Sequence, residues 1–214
     1  IPEKGMRGFN PKQRIESPIN PSGLDKLNAE ATAAERKLRA ERKKLEKFFA
    51  DWEAKLSAQA EADSRSVKID QMTAQGGTKL EPQEDGSVFA QGPNPGNQTY
   101  KVEFTVAEKA LQAIRLEALT HSKHANKSTG RGSNGNFVLT EVHVETASGE
   151  EEFAKVKIKS AEADYEQKGY PISAAIDGKT DRKGWAVDGN TKILDRSAVF
   201  TLAKPVEPGT RVRF

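Results

Sequence analysis

The sequence predicts a mainly β protein, an antiparallel β-sandwich preceded by an extended tether and one long amphipathic α-helix. Three observations carry this. Residues 1–23 hold Pro2, Pro11, Pro18 and Pro21 without sustained apolar periodicity. From Leu24 an apolar residue recurs at steps of three and four. Beyond Asp63 the residue types change to β-branched and aromatic runs separated by Gly, Pro, Asn and Asp clusters, the spacing of a sandwich or barrel.

The tether is expected over 1–23, the helix over 24–62 and the sandwich over 64–214. In the helix, Leu24, Leu27, Ala31, Ala34, Leu38, Leu45, Phe48 and Trp52 form one seam interrupted by Glu41. Ser22 is the expected N-cap, with Asp25 placed favourably against the helix dipole. No Pro or Gly follows until after Gln75. The expected strands are Ser66–Met72, Ser87–Gln91, Thr99–Val106, Ala113–Leu119, Asn136–Thr146, Glu152–Ala161, Ser197–Ala203 and Thr210–Phe214. Ile114, Leu116 and Ala118 alternate with Arg115 and Glu117, and Val156 and Ile158 alternate with three lysines, so these strands show one face to water. Phe137, Val138 and Leu139 are apolar on both faces, which predicts a central, covered strand.

Composition narrows the function classes. With 34 basic and 31 acidic side chains among 214 residues, the small surplus does not build a phosphate-binding face, and nucleic acid is not an expected partner. The absence of cysteine removes disulfides, thiolate metal sites and cysteine nucleophiles. No apolar run reaches the ~20 residues of a membrane span. The start without Met and the alternating end at Thr210–Phe214 read as an internal piece of a larger protein. No GxSxG, HExxH, P-loop or GxGxxG occurs, and scattered carboxylates carry no glycosidase argument, so a non-catalytic role is expected.

Three stretches hold candidate chemistry. Arg36, Lys37, Arg39, Arg42, Lys43, Lys44 and Lys47 make the middle of the helix basic, fitting either an acidic partner or membrane surface, or an ordinary solvated face with pairs such as Glu35–Arg39 and Arg42–Glu46. The polar loop His121–Asn136 contains His121, His124, Arg131 and Asn134. The two histidines could share a metal and the Gly-rich backbone could hold an anion or sugar hydroxyl, or the loop is a plain connection. In residues 170–187, Tyr170 and Trp185 flank a turn at Asp177-Gly178 and Thr180-Asp181. Its oxygens suit a hard cation, or the turn is held by Asp-to-backbone hydrogen bonds with Trp185 in the core.

The order IPEKGMRG, a Leu/Ala/Lys/Glu helix, DGSVFAQGPNPGNQTYKVEF, AIRLEAL, GRGSNGNFVLTEVHV and GYPISAAIDGKTDRKGWAV resembles the middle segment of the planctomycete cytochrome-c-domain multidomain proteins. The last two motifs also resemble, more distantly, discoidin or galactose-binding-like jelly-roll modules. That resemblance implies an eight-stranded jelly-roll-like sandwich whose end loops bind carbohydrate, with structural calcium on Asp177 and Asp181 and Trp185 as a packing residue. Lys179, Arg182 and Lys183 depart from a cation site by adding positive charge. Val67 also departs, standing where a Trp is expected.

The expected function is a non-catalytic carbohydrate-binding-like module of a larger protein, which the resemblance alone implies is secreted, periplasmic or at the cell surface. His121, His124, Arg131, Asn134, Tyr170 and Trp185 are its contacts and a polysaccharide its partner. The alternative is a structural or interaction module whose helix packs on a neighbouring domain or a second copy.

Overall fold

The computed structural model describes residues 21–180 and 183–214. The tether expected over 1–23 therefore lies outside the described residues up to Asn20. The chain divides into two units, 1–65 and 66–214.

In the first unit the described structure is one helix, α1 (Pro21–Asp63), of 43 residues. At 1.5 Å per residue it is about 65 Å long. It begins three residues ahead of the apolar seam, with Pro21 in the first turn, where a fixed φ and a missing N–H cost nothing. Ser22, expected as the N-cap, is thereby inside the helix. Arg42 and Glu46 lie 3.6 Å apart and Lys44 and Glu41 2.8 Å apart, both exposed pairs of the kind that add only tenths of a kcal/mol each, roughly, to a helix.

The second unit is a mainly β sandwich. Its strands are β1 (Ile69–Ala74), β2 (Lys79–Pro82), β3 (Val88–Gln91), β4 (Tyr100–Thr105), β5 (Leu111–Ala118), β6 (Val138–Leu139), β7 (Val144–Ala147), β8 (Ala154–Val156), β9 (Ile158–Ala163), β10 (Trp185–Ala186), β11 (Arg196–Val206) and β12 (Arg211–Arg213). A five-stranded sheet has the order β1-β4-β12-β7-β8 and a three-stranded sheet the order β5-β11-β9, all antiparallel. Together they hold eight of the twelve strands. Two small ribbons, β2-β3 and β6-β10, complete the unit.

Two apolar clusters form the core, and the first of them joins the two sheets. Phe104, Val106, Val144 and Val212 from the five-stranded side pack with Leu202 and Val206. Trp185, Phe200, Ala198, Val142, Ile172, Ala175 and Val187 form the other. The alternation predicted for β5 holds, with Ile114 and Leu116 turned inward and Arg115 and Glu117 exposed. On the outer face of the larger sheet the Arg213 guanidinium joins Glu103 at 2.8 Å and Glu145 at 3.2 Å, each directly across its strand.

Two expected strands are broken. Glu152–Ala161 divides at Lys157, so β8 belongs to one sheet and β9 to the other, while the Lys157 carbonyl accepts from Ala203 N at 2.9 Å. Asn136–Thr146 divides around 140–143, because Val142 N donates to the Ala175 carbonyl at 2.7 Å instead of to a strand neighbour. The expected central strand at Phe137–Leu139 is accordingly wrong. β6 pairs only with β10, Val138 is exposed, and Phe137 and Leu139 pack at the margin of the core. No helix among the described residues is long and apolar enough to cross a membrane.

Candidate functional site

Two surfaces hold the features singled out in the sequence, one in each unit. In the sandwich, the connection from β5 to β6 carries His121, His124, Arg131 and Asn134, and it is not slack. A short 3₁₀ turn, Ala125–Lys127, folds the loop back so that His121 N donates to the Ser128 carbonyl at 3.1 Å. The Arg131 guanidinium reaches the carbonyls of Gly92 and Pro93, both at 2.9 Å, the Thr78 hydroxyl at 3.1 Å and the Tyr100 hydroxyl at 3.4 Å. Thr78 is buried, and its hydroxyl lies 2.7 Å from the Pro93 carbonyl and 2.8 Å from Gln98 Oε1. Asn94 returns a bond to the Arg131 carbonyl at 2.7 Å. Arg131 is thus spent as a clamp between the loop and the chain that follows β3. A planar fork of donors suits this, since it serves several carbonyls at once.

The histidines stack on a ring instead of converging on a metal. His121 lies with its ring centre 4.1 Å from that of Phe89, and His124 at 5.6 Å. His124 Nδ1 donates to the Ser128 carbonyl at 3.0 Å, which leaves Nε2 buried and unpartnered. Burial holds the His124 imidazolium below its ordinary pKa, and the neighbouring His121 and Arg131 add to this against the opposing Ser128 bond. Among the described residues no group of three or more His, Asp or Glu is placed to hold a metal ion. Asn134 is exposed at the tip, its Oδ1 accepting from Asn136 N at 3.0 Å.

Asn136 closes the loop. It donates to Gln167 Oε1 at 2.8 Å and accepts from Gly189 N at 3.1 Å. Gly135 sits at φ 80°, where an added Cβ would lie 2.6 Å from the Ala125 carbonyl, so the turn requires glycine.

The second sequence motif is joined to the first through Glu141. Its side chain is 8% exposed, and Oε2 accepts from Gly178 N at 3.1 Å. Burial raises its pKa above the ordinary carboxylate value, partly offset by the Gly178 bond and by His143, whose Nδ1 is 4.0 Å away. Asp177 is exposed and caps its own turn, with Oδ1 accepting from Lys179 N at 2.9 Å. That is the hydrogen-bonded turn, one of the two readings of this stretch. Asp181, the other proposed calcium ligand, lies outside the described residues. Glu141 was not singled out in the sequence. The signal for it is a lone carboxylate in the mostly apolar run FVLTEV.

Trp185 is fully buried, with Nε1 donating to the Tyr165 carbonyl at 2.8 Å and its ring edge-on to Phe137. It offers no surface to a sugar, which corrects its expected role as a contact and fits the packing role. Gly184 precedes it at φ 155°, where a Cβ would stand 2.1 Å from the Leu139 carbonyl. Tyr170 is half-buried in a tight bridge to Gln167. No row of exposed rings therefore lines this end of the sandwich among the described residues.

The surface in the first unit is the seam of α1. Leu27, Leu38, Leu45, Phe48, Phe49, Trp52 and Leu56 are all exposed, Leu38 at 70% and Phe48 at 65%. Among the described residues of its unit, the helix has no second element on which to bury such a stripe. Comparison of the chain with protein-family models, with curated proteins and with solved structures found no match.

Proposed function

We propose that this chain is a non-catalytic interaction module of a larger exported protein, in which a sandwich carries a helical docking arm. The exposed seam of α1 carries the proposal. Eight large apolar side chains, Leu24 included, lie exposed along one helix, a surface of the kind that soluble proteins reserve for partners. Each Leu or Phe buried from water is worth about 1.5–3 kcal/mol before ordering costs, so even partial cover makes docking favourable. Export and membership of a multidomain parent are part of the proposal through the motif resemblance.

The two tryptophans test it directly. In the chain alone, acrylamide should quench Trp52 freely while Trp185 stays protected. Protection of both would mean that the seam is already covered, and the docking reading would fall.

One observation favours carbohydrate binding by the sandwich as a second reading. The loop 121–136 is clamped by Arg131 and Asn136 while Lys123, Asn126 and Asn134 remain exposed, which is a pre-organised polar rim. A glycan array with the folded chain, compared with Asn134→Ala and Tyr170→Ala, decides it. No glycan retained by the parent chain ends that reading.

A further inference from the structure

We infer that the partner of α1 is a second helix with an apolar seam and acidic flanks, and that it is not another copy of this chain. The inference rests on reading α1 as a docking arm. The steps of three and four run from Leu24 to Lys55, with charged residues at two d positions, which places Leu24, Ala31, Leu38, Leu45 and Trp52 at heptad position a and Leu27, Ala34, Glu41, Phe48 and Lys55 at d. A sustained 3.5-residue repeat is the signature of a helix made to coil on another helix.

The flanks decide which helix. Position g holds Glu30, Lys37, Lys44 and Asp51, and position e holds Asn28, Glu35, Arg42, Phe49 and Leu56, so Glu35 and Arg42 are its charged members. In a parallel pair each g side chain faces the e side chain of the next heptad on its partner. Two copies would then set Glu30 against Glu35 and Lys37 against Arg42, each twice, with Glu41 across from Glu41 and Lys55 across from Lys55 in the seam.

The bond from Lys44 relieves Glu41 from its own helix, and Glu46 does the same for Arg42. Neither acts on Lys37 or Lys55. In an antiparallel pair, a faces d, so Glu41 meets only apolar or small side chains. The register that overlaps the whole seam sets Lys37 against Lys44 and Glu30 against Asp51, leaving Glu35–Arg42 as the opposite-sign match.

Both self-pairings therefore carry repeated like-charge contacts. A helix with glutamates facing Lys37, Arg42 and Lys44 turns three of these contacts into attraction. The stretch from Arg36 to Lys47, with seven basic residues against Glu41 and Glu46, adds a longer-range field of the same sign.

The test uses the full chain and two designed helical peptides about five heptads long, both with Leu at a and d, one with Glu and one with Lys at e and g. Vesicles of anionic phospholipid form a third arm. Sedimentation and the blue shift of Trp52 emission report binding. The Glu peptide should bind at least about tenfold tighter than the Lys peptide, with the gap narrowing as salt rises. The triple variant Lys37→Glu, Arg42→Glu, Lys44→Glu should reverse the order, and the chain alone should sediment as a monomer.

Equal binding of the two peptides, stronger binding to vesicles, or tight self-association overturns the acidic-helix partner. Self-association would leave the docking arm standing with a different occupant. Binding of no probe, together with a Trp52 shielded from quencher in the free chain, would remove the docking arm itself.

Discussion

The helix and the sandwich handle apolar surface in opposite ways. In the sandwich, Trp185, Phe200, Val144 and Val212 are at or near zero exposure, and each is fixed by neighbours from several strands. In α1, Trp52 and Phe48 are more than half exposed although they belong to an equally regular pattern. Regular patterning is therefore a statement about what a surface can join, and whether it is joined inside the chain depends on the elements available to it. The two tryptophans make the contrast measurable, since the same residue type occupies both situations.

The largest effect is expected from Trp185→Ala. Removing a fully buried indole should cost about 3–5 kcal/mol, seen as a lower denaturation midpoint of the sandwich. The same substitution at Trp52 should leave that midpoint within about 0.5 kcal/mol, as for exposed positions. Equal losses at both sites would break the comparison, because Trp52 would then be holding the fold.

Gly184→Ala should come next, at about 2 kcal/mol or more, since the new Cβ meets the Leu139 carbonyl in a backbone region that disfavours side chains. Differential scanning calorimetry checks it. An unchanged melting temperature would mean that β6 and β10 can separate without loss.

Arg131→Ala should cost about 1–2 kcal/mol by removing the guanidinium bonds to the Gly92 and Pro93 carbonyls and to the Thr78 hydroxyl, with Thr78 still bonded to Pro93. Hydrogen exchange should rise first in residues 121–136. Arg131→Lys should not restore protection, because an ammonium cannot span the same set of acceptors. Full rescue by lysine would show that charge alone holds the loop.

The smallest effects are in pH dependence, and they have opposite signs. His124 has its folded pKa below the ordinary 6.5, so the unfolded chain binds the proton more readily. Its share of stability is complete above 6.5 and falls as pH drops through the folded value. Glu141 has its folded pKa above the ordinary 4.5, so its share is complete below 4.5 and falls as pH rises through the folded value. NMR titration should place His124 below 6.5 and the Glu141 carboxyl above 4.5. Either midpoint on the other side would show that burial is not the dominant influence there.

The helix and most strand positions were legible because they rest on local periodicity, steps of three and four in α1 and alternation in β5, which neighbours cannot easily change. The broken strands were not, because their interruptions come from distant partners. Val142 N turns to Ala175 and the strand switch at Lys157 answers Ala203. β10, only two residues long, and β2, which contains Pro82, show too little alternation to be read. Among the candidate site residues, His121 and Arg131 were correctly placed on one loop. Their acceptors and stacking partner lie around Thr78, Phe89 and Pro93, far back in the chain, so the clamp and the ring stack could not be read from spacing.

By itself the sequence determined a mainly β domain, a long helix with one apolar seam, and two glycine-rich motifs, since these follow from residue type and short-range spacing. Only the tertiary structure decided that Trp185 is core, that Arg131 is a clamp and that Glu141 ties one motif to the other. Burial and hydrogen-bond partners are set by segments distant in sequence, and no local rule carries that information.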